Sequence, residues 1–332
     1  MPATSPARRE TEAGTIMTPD ITCTGEMLVE IMRDAVGVPH MQVGGIYKGP
    51  YPSGAPAIFI DAAARAGAAL GITSGFIGVV GNDDFGKVIT GKLERDGVDI
   101  SGVRIDPGNT TGVAFVQYNA DGSRKFIFAP GAAGQLRPSD VDERYFAGAK
   151  AFHVMGSALS ISDGSRRATM KAMRAAIAAG AIVSFDPNLR TEMMPLDQIL
   201  DICQPVVQQA TILLPSGEEA TMLTGEMDPA SACESLLAAG PSIVVLKQGK
   251  DGCTVFTKDE TIPVSGFPVK EIDPTGAGDT FDGTFVVEHL AGASLGDAAR
   301  VANAAGALKV QSFGPMASST RDEILALPAT GR

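Results

Sequence analysis

Apolar positions fall along the chain in two rhythms. Short runs that are continuous or alternate with polar residues read as strands: 21–31 (ITCTGEMLVEI, interrupted at Gly25), 74–80 (SGFIGVV), 151–156 (AFHVMG), 181–185 (AIVSF), 211–215 (TILLP) and 242–247 (SIVVLK). CTVFT and TIPVSG, between 253 and 266, suggest a further antiparallel pair. Stretches with helical apolar spacing cover 57–71, 87–96, 165–179 with Gly180 as a stop, a segment from 217, 278–289 and 295–311. Residues 111–130 give the clearest hairpin, two alternating runs around Asn119-Ala120-Asp121-Gly122. Together with the Gly/Pro/Tyr-rich segment 32–53 it predicts a second small sheet outside the main one. From 151 onward strands and helices alternate, which predicts a mostly parallel sheet with helices on both faces. Ligands of such sheets sit at the carboxyl ends of the strands.

The 332 residues show no fixed repeat and no linker, so one large α/β unit is expected. Trp is absent, aromatic residues make up only 5%, and Ala and Gly are abundant, which favours close packing of helices on a sheet over a sandwich with bulky inner faces. The net charge of −11 comes with no Lys/Arg run, which argues against a nucleic-acid partner. No apolar run approaches the ~20 residues that span a bilayer. Cys23, Cys203, Cys233 and Cys253 are far apart and read as buried thiols of a reducing cytoplasm. His40, His153 and His289 show no ligand spacing and read as structural. The opening MPATSPARRETEAGTI lacks the apolar core of a signal peptide, so residues 1–20 are expected to be a disordered extension, with Met17 as an alternative start.

The chemistry concentrates in EIDPTGAGDTFDG at 271–283. Pro274 ends the preceding segment, Gly276, Ala277 and Gly278 leave the backbone uncluttered, and a helix follows. Main-chain N–H groups at a helix N-terminus make an anion pocket, and small residues let a phosphate approach them. Asp279 then stands beside the anion. That placement is awkward unless the carboxylate accepts a proton from an attacking hydroxyl. The helix terminus is expected to hold Asp279 ionised, a weak but always available base. The plainer alternative is a tight turn with Asp279 capping a helix. A dinucleotide enzyme would need GxGxxG after the first strand, and a P-loop would need GxxxxGK[ST]; neither is present.

DPTGAGDTF resembles the C-terminal signature of the ribokinase-like, or PfkB-type, carbohydrate kinases. GEMLVE at 25–30, the stretch 53–87, DPNLR at 186–190, LPSGEEATMLTG at 214–225, KQGKDG at 247–252 and ANAAGAL at 302–308 follow in family order, so the resemblance spans 21–318. It implies a three-layer α/β/α ribokinase-like sandwich, a single kinase domain over 21–325, with a mostly parallel central sheet and a small β-lid from about 30–55 and 110–130. It implies ATP and Mg²⁺ as cofactors. Gly276, Ala277 and Gly278 become the anion hole and Asp279 the catalytic base. Glu219 positions Mg²⁺ through water, with Ser216 where the family carries Asn. Lys247, Gly249, Gly252, Asn303 and Arg190 fall on the nucleotide side. Asp273 and Thr275 match positions that hold a monovalent cation such as K⁺ in many members.

On the sugar side the resemblance assigns Glu30, where Asp is usual, and Gly54, preceded by Ser53. The family's sugar-binding Asn is replaced by Ile58. Tyr118 and Gln117 on the hairpin are candidate lid contacts to the sugar. Kinases of keto-deoxy acids often carry an aromatic pair and an Arg after the hairpin, but this chain has Phe128-Ala129-Pro130. A bidentate grip on a carboxylate is missing there. The expected substrate is therefore a neutral ketohexose such as fructose or tagatose. The alternatives are 2-keto-3-deoxygluconate, which Arg190 would have to hold, or a non-catalytic sugar- or nucleotide-binding protein of the same fold. A cytoplasmic homodimer paired through the lid sheet is expected, with a sugar and ATP as the ligands.

Overall fold

The run 21–31 does not make one strand. In the computed structural model, which describes residues 18–121 and 123–328, it splits at Met27 between two sheets. In chain order the strands are β1 (Ile21–Glu26), β2 (Leu28–Arg33), β3 (Tyr47–Ser53), β4 (Ser74–Gly81), β5 (Val98–Asp106), β6 (Gly112–Tyr118) and β7 (Arg124–Ala129). They continue with β8 (Ala151–Met155), β9 (Ile182–Asp186), β10 (Ile212–Leu213), β11 (Ile243–Lys247), β12 (Gly252–Phe256) and β13 (Thr261–Ser265). The main sheet has nine strands in the order β13-β12-β11-β10-β9-β8-β1-β4-β5. It is parallel from β11 through β5, and β12 and β13 add an antiparallel edge. The second sheet runs β3-β2-β6-β7. Within it β2 pairs in parallel with β6, flanked by antiparallel pairs with β3 and β7.

The split at Met27 positions the site. Glu26 ends a main-sheet strand and Glu30 lies in the lid strand that follows, and both line the same cavity. The return from β3 enters the helix Ala55–Gly67 through Gly54, whose φ is 107°. A Cβ there would stand 2.4 Å from the Glu26 carbonyl oxygen, so only glycine lets the helix start against the end of β1.

Helices cover both faces of the main sheet. Ala55–Gly67 packs against Ala277–Leu290, and the latter against Leu295–Lys309. The core holds Phe59, Phe76, Phe152, Phe185 and Phe285, all fully buried among Ala and β-branched side chains. Cys23, Cys203, Cys233 and Cys253 are buried and free. Several regular elements have no counterpart in the sequence pattern: strand β5, the longer helices Leu196–Val207 and Pro229–Ala239, and the short helices Gly156–Ser160 and Arg321–Leu325. Of the run TILLP, only Ile212 and Leu213 pair as strand. The expected N-terminal extension lies outside the described residues up to 17; Asp20 is part of the fold, its carboxylate accepting the Thr73 N–H at 2.9 Å. Among the described residues no helix is long and apolar enough to cross a membrane.

Candidate active site

A cavity of about 780 Å³ opens between the lid and the carboxyl ends of the main-sheet strands. The loop 274–279 forms part of its wall. Gly276 caps the helix Ala277–Leu290 at φ 83°, and a Cβ on it would lie 2.3 Å from the Pro315 carbonyl oxygen, so no other residue fits there. Ile58 approaches that same position to 3.4 Å, which explains an apolar side chain where the family has Asn: it supports the loop from below. The Ala277 N–H donates to the Pro274 carbonyl at 3.2 Å, so the expected anion hole narrows to the N–H groups beside it, on Gly276 and Gly278.

Asp279 lines the cavity and is buried. The expectation that the helix terminus keeps it ionised in the ordinary carboxylate range is not met. Burial pushes its carboxyl up to about 7; the Asp186 carboxylate adds to this, and the charges of Arg190 and Lys247 only partly offset it. A base with a pKa close to neutral accepts a hydroxyl proton better than an ordinary carboxylate.

Glu26 and Glu30 are among the other carboxylates that line the cavity. Glu30 Oε1 accepts the Ser53 hydroxyl at 2.7 Å, and Glu26 Oε1 accepts the Ser157 hydroxyl at 2.5 Å. Each leaves its Oε2 buried without a partner. Burial raises both carboxyls to about 7. Paired acceptors of this kind suit the hydroxyls of a sugar, since an unmet buried oxygen costs about 1–3 kcal/mol until a donor arrives. Glu26 and Ser157 were not singled out from the sequence, although Glu26 stands inside GEMLVE.

Gly249, Gly252 and Asn303 also line the cavity, together with Gly306 and Ala307. Asn303 Nδ2 donates to the carbonyls of Val264 and Ser265, at 3.2 and 3.3 Å, which fixes the amide with its oxygen left over. Lys247 also reaches the wall, but its ammonium is held by Asp186 at 2.8 Å and by Asp282 at 2.9 Å. Burial would lower the Lys247 pKa; the two carboxylates outweigh it and raise it. Lys247 thus braces the site from behind Gly278, where a Cβ would lie 3.6 Å from Nζ.

Tyr118 is not among the residues lining the cavity. Its hydroxyl donates to Asp273 Oδ1 at 3.1 Å, and Arg124 Nη1 donates to Thr275 Oγ1 at 3.0 Å. These two bonds fasten the lid hairpin to the loop before Gly276. Gln117 likewise works inside the lid, its Oε1 accepting the His40 N–H at 2.8 Å. Arg124 lines the cavity, as does Arg190. The guanidinium sought at 128–130 is absent there, but one arrives from four residues earlier on β7.

An oxygen-only group fits Mg²⁺. Glu219 Oε1 accepts the Leu189 N–H at 3.0 Å and Oε2 the Ser216 N–H at 2.8 Å, which orients the carboxylate. Ser216 caps the helix Gly217–Thr224, so the replacement for Asn has a structural task. Asn188, held at φ 40°, leaves a buried Oδ1 with no partner on the same wall. Mg²⁺ keeps much of its water and needs only such scattered oxygens. A monovalent cation does not fit at Asp273 and Thr275. The Asp273 carboxylate already accepts from Thr275 N, Tyr118 and Gly314 N, and the Lys309 ammonium donates to its carbonyl oxygen at 2.9 Å.

The sequence pattern described as pfkB family carbohydrate kinase matches residues 19–322. The chain belongs to that family. It is a carbohydrate kinase, a phosphotransferase with an alcohol group as acceptor. It is 34% identical over 320 residues to "Probable fructokinase-5" of Arabidopsis thaliana, covering 94% of this chain and 95% of that one. Among solved structures it resembles a protein described as ribokinase II from E. coli, solved with ATP and Mg²⁺, at 40% identity and a TM-score of 0.86, over 93% of this kinase and 98% of that chain. It also resembles a fructokinase from Vibrio cholerae O395, solved with fructose, ADP and calcium, at 30% identity and a TM-score of 0.79, over 93% and 99% of the two chains. A double mutant of the Vibrio enzyme has been solved with fructose, ADP and potassium; it is 30% identical, with a TM-score of 0.80, over 93% and 98% of the two chains.

Proposed function

We propose that this kinase transfers the γ-phosphoryl group of ATP to a primary hydroxyl of fructose, with tagatose as the next ketohexose in line. The observation that carries the reading is the pair of buried, unpartnered oxygens, Glu26 Oε2 and Glu30 Oε2, on the cavity that also holds Asp279. They call for hydroxyl donors. The plant and Vibrio relatives named for fructose supply the choice among polyols.

In the mechanism, Glu30 and Glu26 accept sugar hydroxyls and turn a primary hydroxyl toward Asp279. Asp279 takes the hydroxyl proton as the oxygen attacks the γ-phosphorus. The N–H groups of Gly276 and Gly278 receive the charge that spreads over the transferring phosphoryl oxygens. Glu219, through water, and Asn188 would hold Mg²⁺, which neutralises the β- and γ-phosphate charge when bound. Gly249, Gly252, Asn303 and Arg190, all on the cavity wall, would serve the nucleotide. The lid, fastened at Tyr118 and Arg124, excludes water.

The test is coupled ADP release with Mg-ATP over fructose, tagatose, ribose, glucose and 2-keto-3-deoxygluconate. The highest kcat/KM is expected for fructose. A second reading, the keto-deoxy acid, draws on Arg124 and Arg190 in the cavity wall; a preference for that acid would replace the ketohexose. Glu30→Gln is expected to raise KM for fructose roughly 10–100-fold, the worth of a hydrogen bond to a charged acceptor, with a smaller change in KM for ATP. Steady-state kinetics with each substrate varied checks this.

We further propose a cytoplasmic homodimer joined through the lid. Buried free thiols support the compartment. Met41 and Val43, 88% and 97% exposed on the segment between β2 and β3, support the interface. Sedimentation of Met41→Ser/Val43→Ser is expected to show a monomer where the parent protein gives a dimer.

A further inference from the structure

Lys309 is the last residue of the helix Leu295–Lys309 and is fully buried. Its Nζ donates to the carbonyl oxygen of Asp273 at 2.9 Å and to that of Ser312 at 3.3 Å. It forms no salt bridge among the described residues. A bare ammonium is costly to bury, so a buried one without a carboxylate partner needs a purpose. Burial lowers its pKa, while the nearby charges of Asp273 and Glu30 act to keep the proton.

The two carbonyls belong to the two segments that frame the anion hole. The first, 272–275, leads directly into Gly276. The second, 309–315, supplies the Pro315 carbonyl against which Gly276 is packed. The segments also touch at Ile272 N and Asp273 N, both donating to the Val310 carbonyl. Gly314 N donates to Asp273 Oδ2 at 2.9 Å. Lys309 therefore sits where carbonyl oxygens from both segments converge beside a buried carboxylate. That is the ligand chemistry of a monovalent cation, and an ammonium has the same charge and meets carbonyl oxygens with N–H donors.

Building on the kinase reading, we infer that Lys309 is a positioning residue that takes the place of a bound monovalent cation, so that this kinase works without potassium. The ammonium fixes the carbonyls of Asp273 and Ser312, and through them the Gly276 and Gly278 N–H groups. It touches neither substrate nor the transferring group.

The experiment measures fructose phosphorylation and thermal melting in tetramethylammonium buffer, with and without added potassium chloride. The parent protein is expected to show the same kcat and the same Tm in both. Lys309→Ala is expected to lose about 100-fold in kcat without potassium, the cost of misplacing reacting groups by about an ångström. Potassium or ammonium ions, entering the space vacated between the carbonyls, are expected to recover most of that loss and to raise its Tm; choline is not. Lys309→Met fills the same space without charge, so its loss is expected to persist in potassium. A parent protein that requires potassium overturns the inference, as does a Lys309→Ala protein whose kcat and Tm both ignore potassium and ammonium. The melting experiment needs no turnover, so it stands even if fructose is the wrong sugar. The parent protein's indifference to potassium is measurable even if the variants do not fold.

Discussion

Asp279→Asn is expected to lower kcat for fructose phosphorylation by about 10²–10⁴-fold, the usual contribution of a positioned base, while KM for ATP changes little. The same substitution is expected to stabilise the fold at alkaline pH. The folded-state pKa of Asp279 is raised to about 7 by burial, against about 4 in the unfolded chain. Below the unfolded value both states are protonated and the group contributes nothing. As pH rises through that window the unfolded chain releases the proton more readily, so stability falls, and above the folded value the buried charge costs its full amount. Asn carries no such charge. Melting curves should therefore place Asp279→Asn above the parent protein at pH values beyond 7, with the gap closing at strongly acidic pH. Gain of stability together with loss of turnover distinguishes a catalytic carboxylate from a structural one, whose removal would lower both.

Lys247→Met is expected to destabilise the protein by about 3–5 kcal/mol, the cost of leaving buried carboxylates without their cation. Asp186 and Asp282 are both nearly inaccessible, and among the described residues this ammonium is the cation paired with both. Burial pushes the Asp282 carboxyl well up, and Lys247 alone resists this before Asp186 adds to the rise. Combining Lys247→Met with Asp282→Asn should recover part of the loss, because one of the stranded charges is gone. Urea unfolding of the single and double variants measures both effects. A loss confined to KM for ATP, with unchanged stability, would mean that Lys247 serves the nucleotide directly, as its place in KQGKDG suggests.

The alternation of strands and helices after residue 151 was enough to predict a mostly parallel sheet, and the hairpin at 111–130 pairs as β6 and β7. Local pattern could not show that 21–31 divides between two sheets, because both halves carry the same apolar run and the division depends on which partner each half meets. Strand β5 was missed because VDISGVRID lies at the sheet edge, where half-exposed positions dilute the apolar rhythm. Leu213 and its neighbour Ile212 are too short a strand for any period to mark. At the site, GAGD was legible because anion binding at a helix start needs small residues there. The shift on Asp279 was not, since burial is a property of the whole fold. The same holds for Tyr118, which alternation placed on the lid but whose hydroxyl meets Asp273 across 155 positions of chain. Arg124 and Lys309 carry no motif; only the folded chain brings their charges to the loop.

The role of Asp279 as a buried base is tested most directly by kcat/KM for fructose measured as a function of pH, which reports the ionisation of groups on the free enzyme. Activity is expected to fall below an apparent pKa of about 7, to reach a plateau above it, and to keep the same acid limb in Glu30→Gln. A profile that stays flat into the ordinary carboxylate range, about pH 4–5, would contradict that role: Asp279 would then be neither buried as described nor the base tuned by that burial.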